Sequence, residues 1–148
     1  MSAFILSRDL DVTGETTFEG NVTMNGRLTS SYSRTVVTSN TTLTASTGDL
    51  IAVTDTSTNP TRTITLPNIR GDLVGNRFKA FTIVDESGGA GTNNITVRVS
   101  TGSNDKIIGV DSTTIAANYG SIRVYSVPNA STPATGPGNW YIAAVVPS

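Results

Sequence analysis

The chain has 148 residues, 36% of them hydrophobic and only 14% charged, with 10 basic and 11 acidic residues and a formal net charge of -1. That length suits one principal core, and a near-neutral chain with no basic run offers no footprint for nucleic acid or an anionic bilayer. Cysteine and histidine are both absent, which excludes disulfides, thiolate metal sites and every nucleophile that needs an imidazole partner, so no cofactor and no enzymatic activity are expected.

Thr (25), Ser (16) and Asn (12) dominate the polar positions, and β-branched residues dominate the apolar ones. This composition favours strands and turns over helices, so the expected class is all-β. At the start, residues 1–9 carry the apolar triplet Phe4, Ile5 and Leu6, followed by Arg8 and Asp9. The run is too short and too soon charged for a signal peptide, and no stretch approaches the roughly 20 apolar residues of a membrane span. Neither export by a leader nor a membrane partner is expected.

Residues 10–30 hold a repeat. Written in sixes it reads LDVTGE, TTFEGN, VTMNGR, then LT, so Leu10, Thr16, Val22 and Leu28 share one position, Val12, Phe18 and Met24 a second, and Gly14, Gly20 and Gly26 a third. Within each hexad the apolar pair is two residues apart and faces one side of a strand, and the glycine permits a kink. Hairpins with glycine turns are the simpler alternative, but a register kept at three positions is hard to obtain by accident. A solenoid needs several stacked repeats, and the few apolar side chains here cannot offset the entropy of ordering the segment in one chain. Three copies intertwined about an axis would bury the apolar positions and remove free strand edges. The expected partner is therefore the chain itself, as a homotrimer with Leu10, Val12, Thr16, Phe18, Val22, Met24 and Leu28 as its core.

Residues 31–148 read as a head domain of ten short strands: 32–38, 41–45, 50–54, 62–66, 77–84, 94–99, 106–110, 113–116, 121–127 and 140–146. Turn chemistry separates them, and the pattern predicts a β-sandwich, jelly-roll-like in topology. Two longer loops, SGGAGTN at 87–93 and PNASTPATGPG at 128–138, are the expected exposed tips. In the last strand Trp140, with Ile142, Ala144 and Val146 continuing its register, should face the core and Tyr141 the opposite side, where it could serve an interface or a sugar platform.

Several segments then carry a resemblance: ITLP at 64–67, FTIVDESGGAGTNNITV at 81–97, DKIIG at 105–109, NYGSIRVYS at 118–126 and NWYI at 139–142, preceded by the hexad NVTMNG at 21–26. In this order they resemble the C-terminal domain of trimeric phage fibre, spike and capsid decoration proteins. The resemblance implies a trimeric virion structural protein on the particle surface. The short stretch ahead of the repeat suits a capsid decoration or short head-spike protein, with Phe4, Ile5 and Leu6 docking onto the major capsid protein or another virion protein. A trimeric tail fibre tip binding host glycans is the alternative.

The remaining chemistry is thin. Asp85 and Glu86 are adjacent, so on a strand they point to opposite faces and cannot flank one glycosidic bond. The GGAG run at 88–91 is followed by a strand, whereas a phosphate loop needs a helix N-terminus. Ser103, Asn104 and Asp105, or Asp111, could supply calcium oxygens, but without EF-hand spacing, and no metal is expected.

Overall fold

A computed structural model describes residues 33–58, 60–73, 78–127 and 138–146. They form ten strands: β1 (Arg34–Val37), β2 (Thr41–Thr42), β3 (Leu50–Val53), β4 (Arg62–Thr65), β5 (Ala80–Asp85), β6 (Ile95–Arg98), β7 (Lys106–Ile107), β8 (Ser112–Ile115), β9 (Ser121–Val127) and β10 (Asn139–Val146). Each of the ten expected segments overlaps one of them, and no helix occurs among the described residues. The class is all-β.

Two mixed sheets result, one in the order β1-β3-β5-β9-β10-β7 and the other β2-β4-β6-β8. Successive strands from β1 to β6 alternate between the sheets. Because each returns to its own sheet in the same direction, β1, β3 and β5 pair in parallel, as do β2, β4 and β6. The chain thus winds three times around a shared interior, and the crossover between parallel neighbours is a strand of the opposite sheet where a helix is more usual. Antiparallel β8 and β9 continue the two sheets from β6 and β5, and β10 lies between β9 and β7. Two stacked mixed sheets are compatible with a β-sandwich. The parallel pairs differ from the antiparallel pairing of a jelly roll, because each short link crosses to the other sheet and does not fold back as a hairpin.

Side-chain alternation explains why the sheets stack. Phe81, Ile83 and Asp85 on β5, Ile122, Val124 and Ser126 on β9, and Ile95 and Val97 on β6 are buried, while their neighbours are partly or fully exposed. Together with Leu43, Ile51, Val53, Ile64, Leu66 and Trp140 the apolar ones form a single core cluster shared by both inner faces. Trp140 is fully buried, 6.0 Å from the Phe81 ring, so the core placement read from the sequence holds. Its expected register continues at Ile142, which is partly buried against the core. A bulge between Ile142 and Ala144 then shifts the pairing by one residue, so Ala144 stands opposite Arg123 and Val145 opposite Ile122.

The expected strand 106–110 is likewise cut short. Ile107 and Val110 exchange both backbone hydrogen bonds around Ile108 and Gly109, whose φ angles are 47° and 84°. This is a two-residue hairpin turn with both central residues left-handed, the geometry that Asn-Gly serves best. Gly109 adopts it freely, whereas the β-branched Ile108 is held in a region that costs it energy. We predict that Ile108→Asn raises the unfolding free energy by about 1 kcal/mol, read as a higher urea midpoint at unchanged slope.

Candidate functional site

The residues that the sequence assigned to the trimer core (Leu10, Val12, Thr16, Phe18, Val22, Met24 and Leu28) and to docking (Phe4, Ile5 and Leu6) lie outside the described residues. Within them, the polar chemistry concentrates on two buried carboxylates. Asp85 closes β5 on its inward-facing side and is fully buried. One of its oxygens accepts the Thr56 hydroxyl, the Ser87 hydroxyl at 3.3 Å and the Gly88 N–H at 3.1 Å. The other accepts the N–H groups of Ala90 at 2.9 Å and Tyr119 at 3.1 Å. Burial by itself raises the pKa of this carboxyl, but the hydrogen bonds from Thr56, Ala90, Tyr119 and Gly88 outweigh it and hold the group below its ordinary value.

This network narrows the expectation that residues 87–93 form an exposed tip: Gly91 and Thr92 are exposed, but the stretch before them turns inward. Gly89 and Ala90 are buried. A Cβ on Gly89 would lie 2.3 Å from the Thr56 backbone, and one on Gly88, at φ 72°, would run into the Tyr119 ring. The loop folds inward because the Gly88 and Ala90 N–H groups converge on a negative charge, in the manner of backbone nests that bind anions, while the Gly89 N–H between them donates to the Thr56 hydroxyl oxygen at 3.0 Å. The anion cradled by the glycine run is the protein's own Asp85. Tyr119, itself at φ 57°, delivers its N–H to the same carboxylate.

Asp105 works in the same way at a second place. It is buried, and its two oxygens accept the N–H groups of Ile69 and Gly138, each at 2.9 Å. The carboxylate raised as a calcium ligand thus holds two backbone N–H groups, and the described residues contain no cluster of three or more His, Cys, Asp or Glu side chains. Glu86 turns outward and pairs with Arg34, which lowers the pKa of the carboxyl and raises that of the guanidinium. Asp49 pairs with Lys79, Asp55 with Arg62 and Asp111 with Lys106, while Asp72 accepts the Asn68 N–H.

The other feature is the outer face of the six-stranded sheet. Tyr125 on β9 and Tyr141 on β10 are direct cross-strand partners with ring centroids 5.7 Å apart, and Phe78, just before β5, lies 5.7 Å on the other side of Tyr125. The three rings make a row beside a groove of about 580 Å³ that Asp49, Lys79, Thr82 and Arg123 help to line. Tyr141 was legible as an outward residue from its place beside Trp140. Phe78 was not singled out, although its even spacing ahead of Ala80 and Thr82 carried the signal. Such a row can bind a flat apolar surface or the ring face of a sugar.

Because the folded pKa of Asp85 is depressed, its stabilisation is present above the ordinary value and is lost as pH falls through the folded one. Unfolding free energy should therefore drop on acidification below about pH 4. Asp85→Asn should lower it by roughly 2 kcal/mol at neutral pH and flatten that acid limb, measured by urea titrations across the pH series. In comparisons with known proteins, no family model matches the chain and no curated protein matches it.

Proposed function

We propose that this chain is a non-enzymatic structural protein of a phage virion, a homotrimer on the particle surface that serves as a capsid decoration or short head-spike protein. The observation that carries the reading is the hexad repeat at 10–28, whose seven aligned apolar and threonine positions gain a common interior only when several copies combine. The virion assignment comes from the resemblance of the segments between residues 64 and 142 to phage fibre, spike and decoration domains. The chemistry of the head is consistent with a scaffold: its buried carboxylates accept backbone and hydroxyl hydrogen bonds, and its other described acids are paired or cap turns. In this reading Phe4, Ile5 and Leu6 dock onto the major capsid protein or a neighbouring virion protein.

A second reading, a trimeric fibre tip that binds host-surface glycans, is favoured by the row of Phe78, Tyr125 and Tyr141 beside Asp49 and Arg123. Glycan-array binding that is abolished by Tyr141→Ala would select it.

Sedimentation tests the trimer. The native chain should run as three copies, and the double variant Phe18→Asp, Met24→Asp as one, because a carboxylate buried on the axis without a partner costs several kcal/mol. An intact trimer in that variant would remove the axial core. Deletion of residues 1–9 should leave the trimer folded but unable to bind particles, and gold-labelled antibody should mark the capsid. Label confined to the tail would overturn the capsid placement.

A further inference from the structure

The apolar band on the outer face of the six-stranded sheet is longer than its aromatic row. The Ile108 N–H donates to the carbonyl of Trp140 at 3.0 Å, which sets the strained turn beside Tyr141 and continues the band as Phe78, Tyr125, Tyr141 and Ile108. Phe78 is 64% exposed, Ile108 58% and Tyr141 39%, and Val127, the outward residue that ends β9, is also exposed. Single exposed apolar residues are ordinary, but a contiguous run marks an interaction surface. Ile108 adds an independent sign. An asparagine would fit its left-handed backbone at lower cost, yet the position holds an apolar side chain that the single chain leaves in solvent.

We infer that this band is where a second copy of the chain docks, head against head. The inference rests on the trimeric reading above and names the surface through which the heads meet. The covalent connection supports a second copy over any other occupant. Leu28 and Arg34 are six positions apart, a stretch that reaches at most about 20 Å. Association of the hexads therefore keeps the heads of different copies at effective concentrations of about millimolar, and a patch of modest intrinsic affinity fills with a neighbouring head before any dilute partner. The composition is suitable, since tyrosine, phenylalanine and isoleucine bury well at subunit contacts and the tyrosine hydroxyls tolerate a wet rim. In a three-fold arrangement the contact is head-to-tail, so the band meets a different patch of its neighbour.

The absence of cysteine makes the test direct. Tyr141→Cys and Phe78→Cys are prepared singly in the full chain, with Thr114→Cys on the exposed outer side of β8 as reference. Maleimide labelling is then timed on material whose copy number is read by sedimentation. In the assembled chain both band positions should label roughly tenfold or more slowly than Thr114→Cys, as burial behind a contact requires. They should become as fast as the reference when Phe18→Asp and Met24→Asp separate the copies. Adding Ile108→Asn to Tyr141→Cys should speed labelling in the assembled chain, while the rise in urea midpoint from the relieved turn should be read in full only once Phe18→Asp and Met24→Asp separate the copies, a divergence that a purely structural role for Ile108 does not produce. An assembled chain whose band positions label as fast as Thr114→Cys overturns the inference and leaves the trimer standing. A native chain that sediments as a single copy overturns the trimer and the docking face together.

Discussion

A single buried negative charge organises the head. The Asp85 carboxylate is buried from bulk solvent, so its burial is tolerable only while protein donors replace the lost hydration. Those donors come from Thr56 just beyond β3, from Ser87, Gly88 and Ala90 just beyond β5, and from Tyr119 just ahead of β9. The strands β3, β5 and β9 are neighbours in one sheet, and their connecting segments leave at the same end. The carboxylate gathers these exits into one knot, and Asn93 reinforces it by donating its amide to the Thr56 carbonyl at 2.7 Å. Loosening any of these donors exposes part of the desolvation cost, so loop conformation and sheet order are coupled.

The winding of the chain makes such knots necessary. Where consecutive strands pair as hairpins, the turn itself sets the register. Here each strand from β1 to β6 crosses to the opposite sheet before the chain returns, so register among them must be set by the interior and by contacts between connecting segments. Asp105 supplies a second contact of this kind, joining Ile69 to Gly138 at the entrance to β10. The polar groups of the interior are thus used for architecture, and the apolar cluster between the sheets supplies most of the driving force.

The two uses of strain in the head are different in kind. Tyr119 takes a left-handed backbone and is repaid by its hydrogen bond to Asp85. Ile108 takes one at the tip of a turn, where its N–H donates to the Trp140 carbonyl at 3.0 Å while its side chain stays in solvent. An apolar side chain kept in solvent on a strained backbone points outward, toward association. The same direction is set by the hexads, which cannot cover their own apolar positions, and the proposed trimer joins these two unmet demands.

Much of this was legible in the residues. Period-two alternation and turn chemistry located every strand, because those signals are local and depend only on which side chains must leave water. The absence of histidine and cysteine bounded the chemistry, and the adjacency of Asp85 and Glu86 separated their faces. The hexads and the triplet Phe4, Ile5 and Leu6 stand on sequence alone. Three features were decided only by the tertiary structure. Pairing between next-but-one strands depends on where each link crosses, which no local pattern encodes. The bulge after Ile142 shifted the pairing of the last residues by one, since one unpaired backbone position is invisible in an apolar run. The loop at 87–93 looked like an exposed tip because its glycines and serine are polar and flexible in isolation. Only the folded chain brings a buried carboxylate within reach of their N–H groups, and that charge, distant in pairing though near in sequence, turns the loop inward.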